Sequence, residues 1–328
     1  MRLETELQAL RAFSPGIRAE LPFHVPHIAG SVRRGDLSTF VYSHLEGSTW
    51  DLESLCAGGR RMASELGRAL AAIHELPPTL VHRADLPSYE ANAFRQRKLN
   101  ELDQAATSGH IPSTLLRRWE HALEDVTLWK FSPTVVHGDL HEDNLLISGG
   151  RVSAVTGWTD LRIGDPADDF AWLAAAEDPD FADAVYAAYA ATRTTPVDPH
   201  LARRASLAAE FALAQWMVRG LAVNDTGMIA EAEDMMATLV EDIHASEQAH
   251  AEEAKREWAE RNNRADSDTV RDNRADTDSN NDDSDDGAND DSSADTLSTV
   301  TPIRPGTGEP PSGEGTATSA LPVISTGR

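Results

Sequence analysis

The sequence predicts an α+β fold, with mixed strands in its first half and a helical bundle in its second. Three observations carry this reading. Two stretches rich in β-branched and aromatic residues lie before residue 48, a second pair flanks residues 137–144, and the chain beyond Asp169 reads as Ala-rich helix. With 328 residues and an apolar share of 40%, the chain has room for two domains, or one domain plus an appendage.

Each element has its own local signature. RLETELQALRAF (2–13) places Leu3, Leu7, Leu10 and Phe13 on one side of a short amphipathic helix. HVPHIAG (24–30) and STFVYSHLEG (38–47) read as strands, and Gly35-Asp36 suits the turn between them. MASELGRALAAIHEL (62–76) carries an apolar stripe at helical spacing. STLLRRWEHALEDV (113–126) is a further helix, with Ser113 as its expected N-cap. TVVHGDL and RVSAVTGW are short strands on either side of a loop, and LLI leaves that loop as another strand. Asp139 and Asn144 are thereby expected at one end of a hairpin-like turn. FAWLAAA and the long Ala-rich runs after it complete the bundle. From Asn262 onward Asp is dense and large apolar residues are scarce. Such a stretch buries too little surface to offset the entropy of ordering it, so residues 262–328 are expected to form a disordered acidic tail.

Charge and composition exclude several roles. A net charge of −25 argues against nucleic-acid phosphates and anionic membrane surfaces as partners, since both attract clustered Lys and Arg. A cationic small molecule would suit the sign of the field. Cys56 is the only cysteine, so neither an intrachain disulfide nor a cysteine metal cluster is possible. Glu4 and Glu6 fall where a signal peptide would need an apolar block, and no apolar run reaches the roughly 18 residues of a membrane span. A soluble cytoplasmic protein is expected.

Chemistry concentrates in HGDLHEDNLLI (137–147). An acid and an amide five residues apart on a loop suit phosphoryl transfer. The carboxylate of Asp139 would orient a substrate hydroxyl and accept its proton, and the amide oxygen of Asn144 would help hold Mg²⁺. Spacing alone leaves a second reading open, a turn in which Asp and Asn bond their own backbone.

The complete string resembles the catalytic loop of the aminoglycoside and macrolide phosphotransferases, distant relatives of protein kinases. The similarity, closest to the macrolide 2′-phosphotransferases, extends over residues 2–245. It takes in LPFHVPHI (21–28), LGRALAAIHELP (66–77), RRWEHAL (117–123) and VSAVTGWTDLRIGDPADDFA (152–171) in order. The resemblance implies a protein-kinase-like two-lobe fold with an incomplete small β lobe and a mainly helical large lobe. Residues 1–47 would form the remnant of the small lobe and the hinge, and 48–261 the helical lobe with the catalytic loop. It also implies transfer of the terminal phosphate of GTP or ATP, with Mg²⁺, to a hydroxyl of a macrolide, an aminoglycoside or an unknown metabolite.

Position by position, the resemblance makes Asp139 the catalytic base, braced by His137 and His141, with Asn144 as a metal ligand. Asp169 would be a buried buttress of the loop and Asp165 a structural residue beside Pro166. Glu6 matches the glutamate that pairs with a phosphate-holding lysine, and backbone groups around Tyr42, Ser43 and His44 would hold the purine. The C-terminal helices (170–245) would line the acceptor pocket, where Trp172, Tyr186, Trp216 and Met217 suit an apolar ligand.

Two departures stand against this pattern. The family's Ile-Asp-Trp motif, whose Asp is the principal metal ligand, is here Thr156-Gly157-Trp158. Glycine offers no side-chain oxygen, whereas Mg²⁺ is commonly held by one or two carboxylates. Asp160 is the nearest substitute, on condition that the chain turns directly after Trp158. Strands, a phosphate loop and a lysine also precede the Glu6 helix in the family, whereas no lysine occurs here before Lys98. The opening MRLETEL therefore reads as a late start. Together the departures predict a phosphotransferase with weak or no activity, or else a kinase-shaped binding or regulatory module.

Overall fold

The structure, a computed structural model, describes residues 2–34 and 37–275. Ten α-helices and six short strands are found among them: α1 (Arg2–Ala12), α2 (Pro15–Glu20), β1 (Ile28–Arg34), β2 (Leu37–Tyr42), α3 (Leu52–Ala57), α4 (Gly59–His74), α5 (Thr79–Arg83), α6 (Ala91–Ala106), α7 (Ser113–Glu124), β3 (Thr134–Val136), β4 (Leu145–Ser148), β5 (Arg151–Val155), β6 (Arg162–Gly164), α8 (Pro179–Thr192), α9 (Leu201–Val223) and α10 (Thr226–Ala275). Among the described residues two compact units are distinguished, one up to Ala237 and another from Thr238. All six strands and the loop 137–144 belong to the first.

The strands make three separate two-stranded antiparallel ribbons, β1–β2, β3–β6 and β4–β5. Here the sequence expectation is corrected. β3 and β4 do not pair, so the loop between them is no hairpin. It bridges two different ribbons, each anchored elsewhere. Ser88 and Tyr89 are stitched to β6 at Ile163, with Tyr89 N–H donating to Ile163 O at 3.0 Å. His24 lies parallel to β5, its N–H donating to Ser153 O at 2.8 Å. Ser48 closes onto β4 by two bonds with Ile147, of 3.1 and 2.8 Å. His24 and Ser48 thus bond the third ribbon, and the first is shifted from its expected place: β1 runs on to Arg34, β2 ends at Tyr42, and beyond them Ser43 N–H still donates to His27 O at 2.7 Å. The Gly35-Asp36 turn lies outside the described residues.

The helices bury the stripes their sequences carry. α4 turns Met62, Leu66, Leu70 and Ile73 inward, against Phe181, Val185 and Tyr189 of α8, which recur every fourth residue and so share a face. Leu10 of α1 and Phe13 just after it join the same core, which continues through Val135, Leu145, Val155 and Trp158 beneath the loop. Arg18 ties the end of α1 down, donating to the carbonyls of Leu10, Phe13, Val25 and Pro26.

Three local expectations change. Ser113 is the first helical residue and not the cap; Pro112 precedes the helix, and no side chain caps it. FAWLAAA lies in a 3₁₀ stretch, Pro166–Ala175, started by the Asp165 carboxylate accepting Ala167 N–H at 3.0 Å. Helix α10 runs through Ala275, so residues 262–275 are helical. Extending an existing helix avoids the cost of nucleating one. Among the described residues no helix is long and apolar enough to cross a membrane.

Candidate active site

The loop 137–144 hangs between β3 and β4. Its entry is fixed from below by Asp169, whose side chain is fully buried. One carboxylate oxygen accepts His137 N–H at 2.8 Å and the other accepts Gly138 N–H at 2.7 Å. His74 Nε2 lies 3.0 Å from the same carboxylate, and His74 Nδ1 lies 2.8 Å from the Tyr189 hydroxyl. An ionised carboxylate only accepts, so Nε2 donates to Asp169, while Nδ1 is hydrogen-bonded to the Tyr189 hydroxyl. Burial alone would raise the Asp169 pKa. The His74 hydrogen bond, the nearby imidazoles and the Gly138 N–H outweigh it and hold the group below the usual carboxylate range.

His137 faces the other way. Its Nε2 donates to Thr156 O at 2.7 Å, which ties the loop to the segment after β5. Burial depresses its pKa, so the ring is neutral, and Nδ1 is left to accept the Asp139 N–H at 3.4 Å. Gly138 adopts φ +86, and a Cβ there would lie 2.0 Å from the Arg162 guanidinium and 2.4 Å from Asp160 O. Arg162 occupies that space to clamp the loop, donating to Gly138 O at 3.2 Å and Asp160 O at 3.0 Å while pairing with Asp168 at 2.5 Å.

This framework leaves the Asp139 side chain exposed. Among the described residues its carboxylate makes no hydrogen bond or ion pair. Asn144 is held by its main chain, N–H to His141 O at 3.0 Å and O from Thr156 N–H at 2.9 Å. Its Nδ2 donates to Asp139 O at 2.7 Å, leaving Oδ1 free to accept. His141 braces the loop only through that carbonyl. Its ring lies 3.7 Å from Asp143, and Nδ1 has no hydrogen-bond partner.

β5 ends at Val155, before Gly157, which takes a left-handed φ of +77. A 3₁₀ turn, Trp158–Asp160, follows directly. Trp158 fills the core beneath it, edge-on to Phe13 at 4.8 Å and 4.7 Å from the His137 ring. The chain therefore does turn after Trp158, but Asp160 acts on Arg162, through its carbonyl and its charge. Among the described residues no three His, Cys, Asp or Glu side chains are grouped to hold a metal. Gly157 brings no carboxylate beside Asn144 Oδ1, so this pair of positions offers Mg²⁺ one side-chain oxygen and fits that ion poorly.

The remaining expected residues spread around the loop. Asp165 is buried in a bidentate pair with Arg204, at 2.7 and 3.1 Å. Arg204 also binds Asp198 and Leu128 O. Glu6 is half-buried with its pKa raised by burial, and its charge adds to the burial that raises Tyr42. No cation pairs with Glu6 among the described residues, and the buried Tyr42 hydroxyl has no hydrogen-bond partner. Ser43 N–H is taken by His27 O at 2.7 Å, which removes it as a purine donor, whereas His44 is exposed. Of the four residues expected in an acceptor pocket, Trp216 and Met217 are buried in the bundle and Tyr186 stacks on Phe170 at 4.8 Å. Trp172 donates to Asp169 O at 3.0 Å. Packing accounts for all four.

A sequence profile described as the Phosphotransferase enzyme family matches residues 2–207, more than half of the chain. The chain belongs to that family. Among solved structures it is similar to the macrolide 2′-phosphotransferase MphH from Brachybacterium faecium, at 22% identity and a TM-score of 0.61 over 71% of this chain and 78% of that one. It is also similar to the GDP and kanamycin complex of APH(2″)-IIIa, at 18% identity and a TM-score of 0.62 over 72% of this chain and 82% of that one. Both show the protein-kinase-like fold. A sequence relative, the uncharacterised protein YcbJ of Bacillus subtilis (strain 168), is 28% identical over 106 residues, 32% of this chain and 35% of that protein. The match thus spans about a third of that relative's length.

Within this phosphotransferase fold, the sequence did not single out His74, Arg162, Tyr189 or Arg204. Only His74 left a signal, a histidine on the apolar stripe of α4 beside Leu70 and Ile73.

Proposed function

We propose that this chain is a small-molecule phosphotransferase that moves the terminal phosphate of GTP or ATP to a substrate hydroxyl, and that it does so slowly. The observation that carries the reading is Asp139: an exposed, unpartnered carboxylate on a loop whose two preceding N–H groups are fixed by one buried carboxylate. In this role Asp139 accepts the hydroxyl proton as the oxygen attacks phosphorus. Asp169 and Arg162 keep the loop still, so the base does not have to be oriented at each turnover. Among the described residues no cation pairs with Asp139.

Gly157 supports the second half of the proposal. Loss of a charge clamp on the transferring phosphoryl group costs several kcal/mol, about 10³-fold in rate. Acceptors in the wider family reading are a macrolide, an aminoglycoside or a metabolite with a free hydroxyl, and the proposed reaction is a cytoplasmic one. The same glycine favours a second reading, a kinase-shaped binding module that holds nucleotide without transferring phosphate.

The test is phosphate transfer from labelled GTP and ATP by the unaltered chain, with Asp139→Asn beside it. Slow transfer that disappears in Asp139→Asn is the expected result. Transfer equally fast in both chains would remove Asp139 from the reaction, and nucleotide binding without transfer would leave the binding module.

A further inference from the structure

Helices α6 and α9 do not close on each other along their length. Between them lies a cavity of about 350 Å³, walled by Leu102, Ala105, Phe211, Ala214, Val218 and Ala222. That volume sits at the lower end of the roughly 300–1,000 Å³ of small-molecule sites. Five polar residues edge it: Lys98, Glu101, Gln104, Gln215 and Arg219.

The charges at this edge are unequal. Glu101 is already engaged on both oxygens, by Arg97 Nε at 2.7 Å and by Gln215 Nε2 at 3.1 Å across the gap. Lys98 is the reverse. Its side chain is only 15% exposed, and its ammonium lies 3.8 Å from Glu101, too far for a hydrogen bond. It is flanked by the rings of Phe94 and Phe211, at 5.5 and 6.0 Å. The stem of Lys98 is thus largely buried, while its ammonium, engaged only in this long pair with Glu101, can take an acceptor at the cavity edge. Arg219 adds a second positive charge to the lining. In a chain of net charge −25, this lining is locally positive.

A chain of side-chain contacts runs from the cavity edge to the candidate active site. Arg97, the partner of Glu101, stacks over Tyr89 at 5.0 Å and lies close enough to Arg162 for the two charges to act on each other. Arg162 in turn holds Gly138 O, one residue before Asp139. Tyr89 is bonded to β6.

We infer that this cavity receives the apolar body of the acceptor, and that the acceptor is a small neutral or anionic molecule offering an oxygen to Lys98, not a polycation. A polycation entering here would meet Lys98 and Arg219 and find Glu101 taken. The class follows from the cavity, and its role as the acceptor site rests on the phosphotransferase reading above.

The test measures binding without nucleotide, so a failure of phosphate transfer leaves its readout unmoved. The probes are anilinonaphthalene sulfonate, an apolar anion, followed by fluorescence, and kanamycin, a polycation, followed by calorimetry. The expected result is saturable one-to-one binding of the anion, weakened at least tenfold in Lys98→Met and in Ala222→Trp. Ala222 is exposed at the cavity edge, so its replacement blocks the mouth without loading the core. Anion binding that neither variant alters, or kanamycin binding that Ala222→Trp abolishes, overturns the inference.

Discussion

The carboxamide of Asn144 lies over Gly157 in the space a side chain would need: a Cβ on Gly157 would fall 2.3 Å from Asn144 Oδ1 and 2.8 Å from its Cγ. The glycine at 157 and the position of the Asn144 carboxamide, which also bonds Asp139 O, are therefore one packing arrangement.

Restoring the acid thus tests geometry as well as chemistry. Gly157→Asp has to hold φ +77, a conformation costing an ordinary residue about 1–2 kcal/mol, although Asp is among the side chains that tolerate it best. The obstructing atoms belong to a side-chain end, which moves cheaply compared with backbone. Gly157→Ala meets the same strain and contact and gains no ligand. Denaturant unfolding should show both variants destabilised by about 1–2 kcal/mol. Mg²⁺-dependent nucleotide affinity, measured by calorimetry, should rise in Gly157→Asp alone. An equal rise in Gly157→Ala would show that displacing Asn144 matters and the carboxylate does not.

Asp169→Asn is expected to do damage out of proportion to its size. The two backbone donors at 2.8 and 2.7 Å need both carboxylate oxygens, and the variant turns an NH₂ toward one of them. A buried donor left unsatisfied costs about 1–3 kcal/mol, and disturbing His74 adds to it. Chemical denaturation should register a loss of about 3 kcal/mol. Any transfer activity should vanish with it, because the Asp139 loop loses its anchor. A variant of unchanged stability would show that the loop is held by Arg162 and not by this carboxylate.

Much of this arrangement was legible in the sequence, and the parts that were not share a cause. Helices with a one-sided apolar stripe, such as α1 and α4, declare themselves locally, and so does the Asp139–Asn144 loop through its fixed spacing. Strand pairing does not. β3 comes shortly before β4 in the chain but pairs with β6, because Tyr89 and Ile163 complete that ribbon from the far side. The burial of Tyr186, Trp216 and Met217 is likewise a matter of which helix lies opposite. α6 gave no clear signal, since its buried residues Phe94, Leu102 and Ala105 are sparse and it forms one wall of a cavity.

Two carboxylates four residues apart should give stability opposite pH dependences. Burial lifts Asp165 to about 6 despite Arg204, so the folded chain holds that proton more tightly than the unfolded chain does. Its contribution is fully present below the unfolded value of about 4 and is lost as pH rises through about 6. Asp169, held below the usual range, contributes above pH about 4 and loses that contribution as pH falls. Comparing wild type with Asp165→Asn from pH 4 to pH 7, the stability difference should move against wild type by up to about 3 kcal/mol as pH rises. Movement in its favour over the same range would mean that the Arg204 pair outweighs burial.

The closest backbone approach beneath the site supplies the last prediction. At Gly67 helix α4 meets α8, and a Cβ there would sit 2.6 Å from Tyr189 N and 2.8 Å from Val185 O. Helix propensity alone favours Gly67→Ala by about 1 kcal/mol. The obstructing atoms are backbone in a neighbouring helix, however, and cannot rotate aside. Overpacking of this kind costs about 1–3 kcal/mol, and here it displaces Tyr189, whose hydroxyl orients His74 beneath Asp169. The collision should win over propensity. Gly67→Ala is therefore expected to unfold at lower denaturant than wild type, whereas Ala72→Gly, on the half-buried side of the same helix, should lose only the roughly 1 kcal/mol of propensity. A Gly67→Ala chain more stable than wild type would show that α4 and α8 separate freely, and that the Tyr189–His74–Asp169 relay does not depend on their close contact.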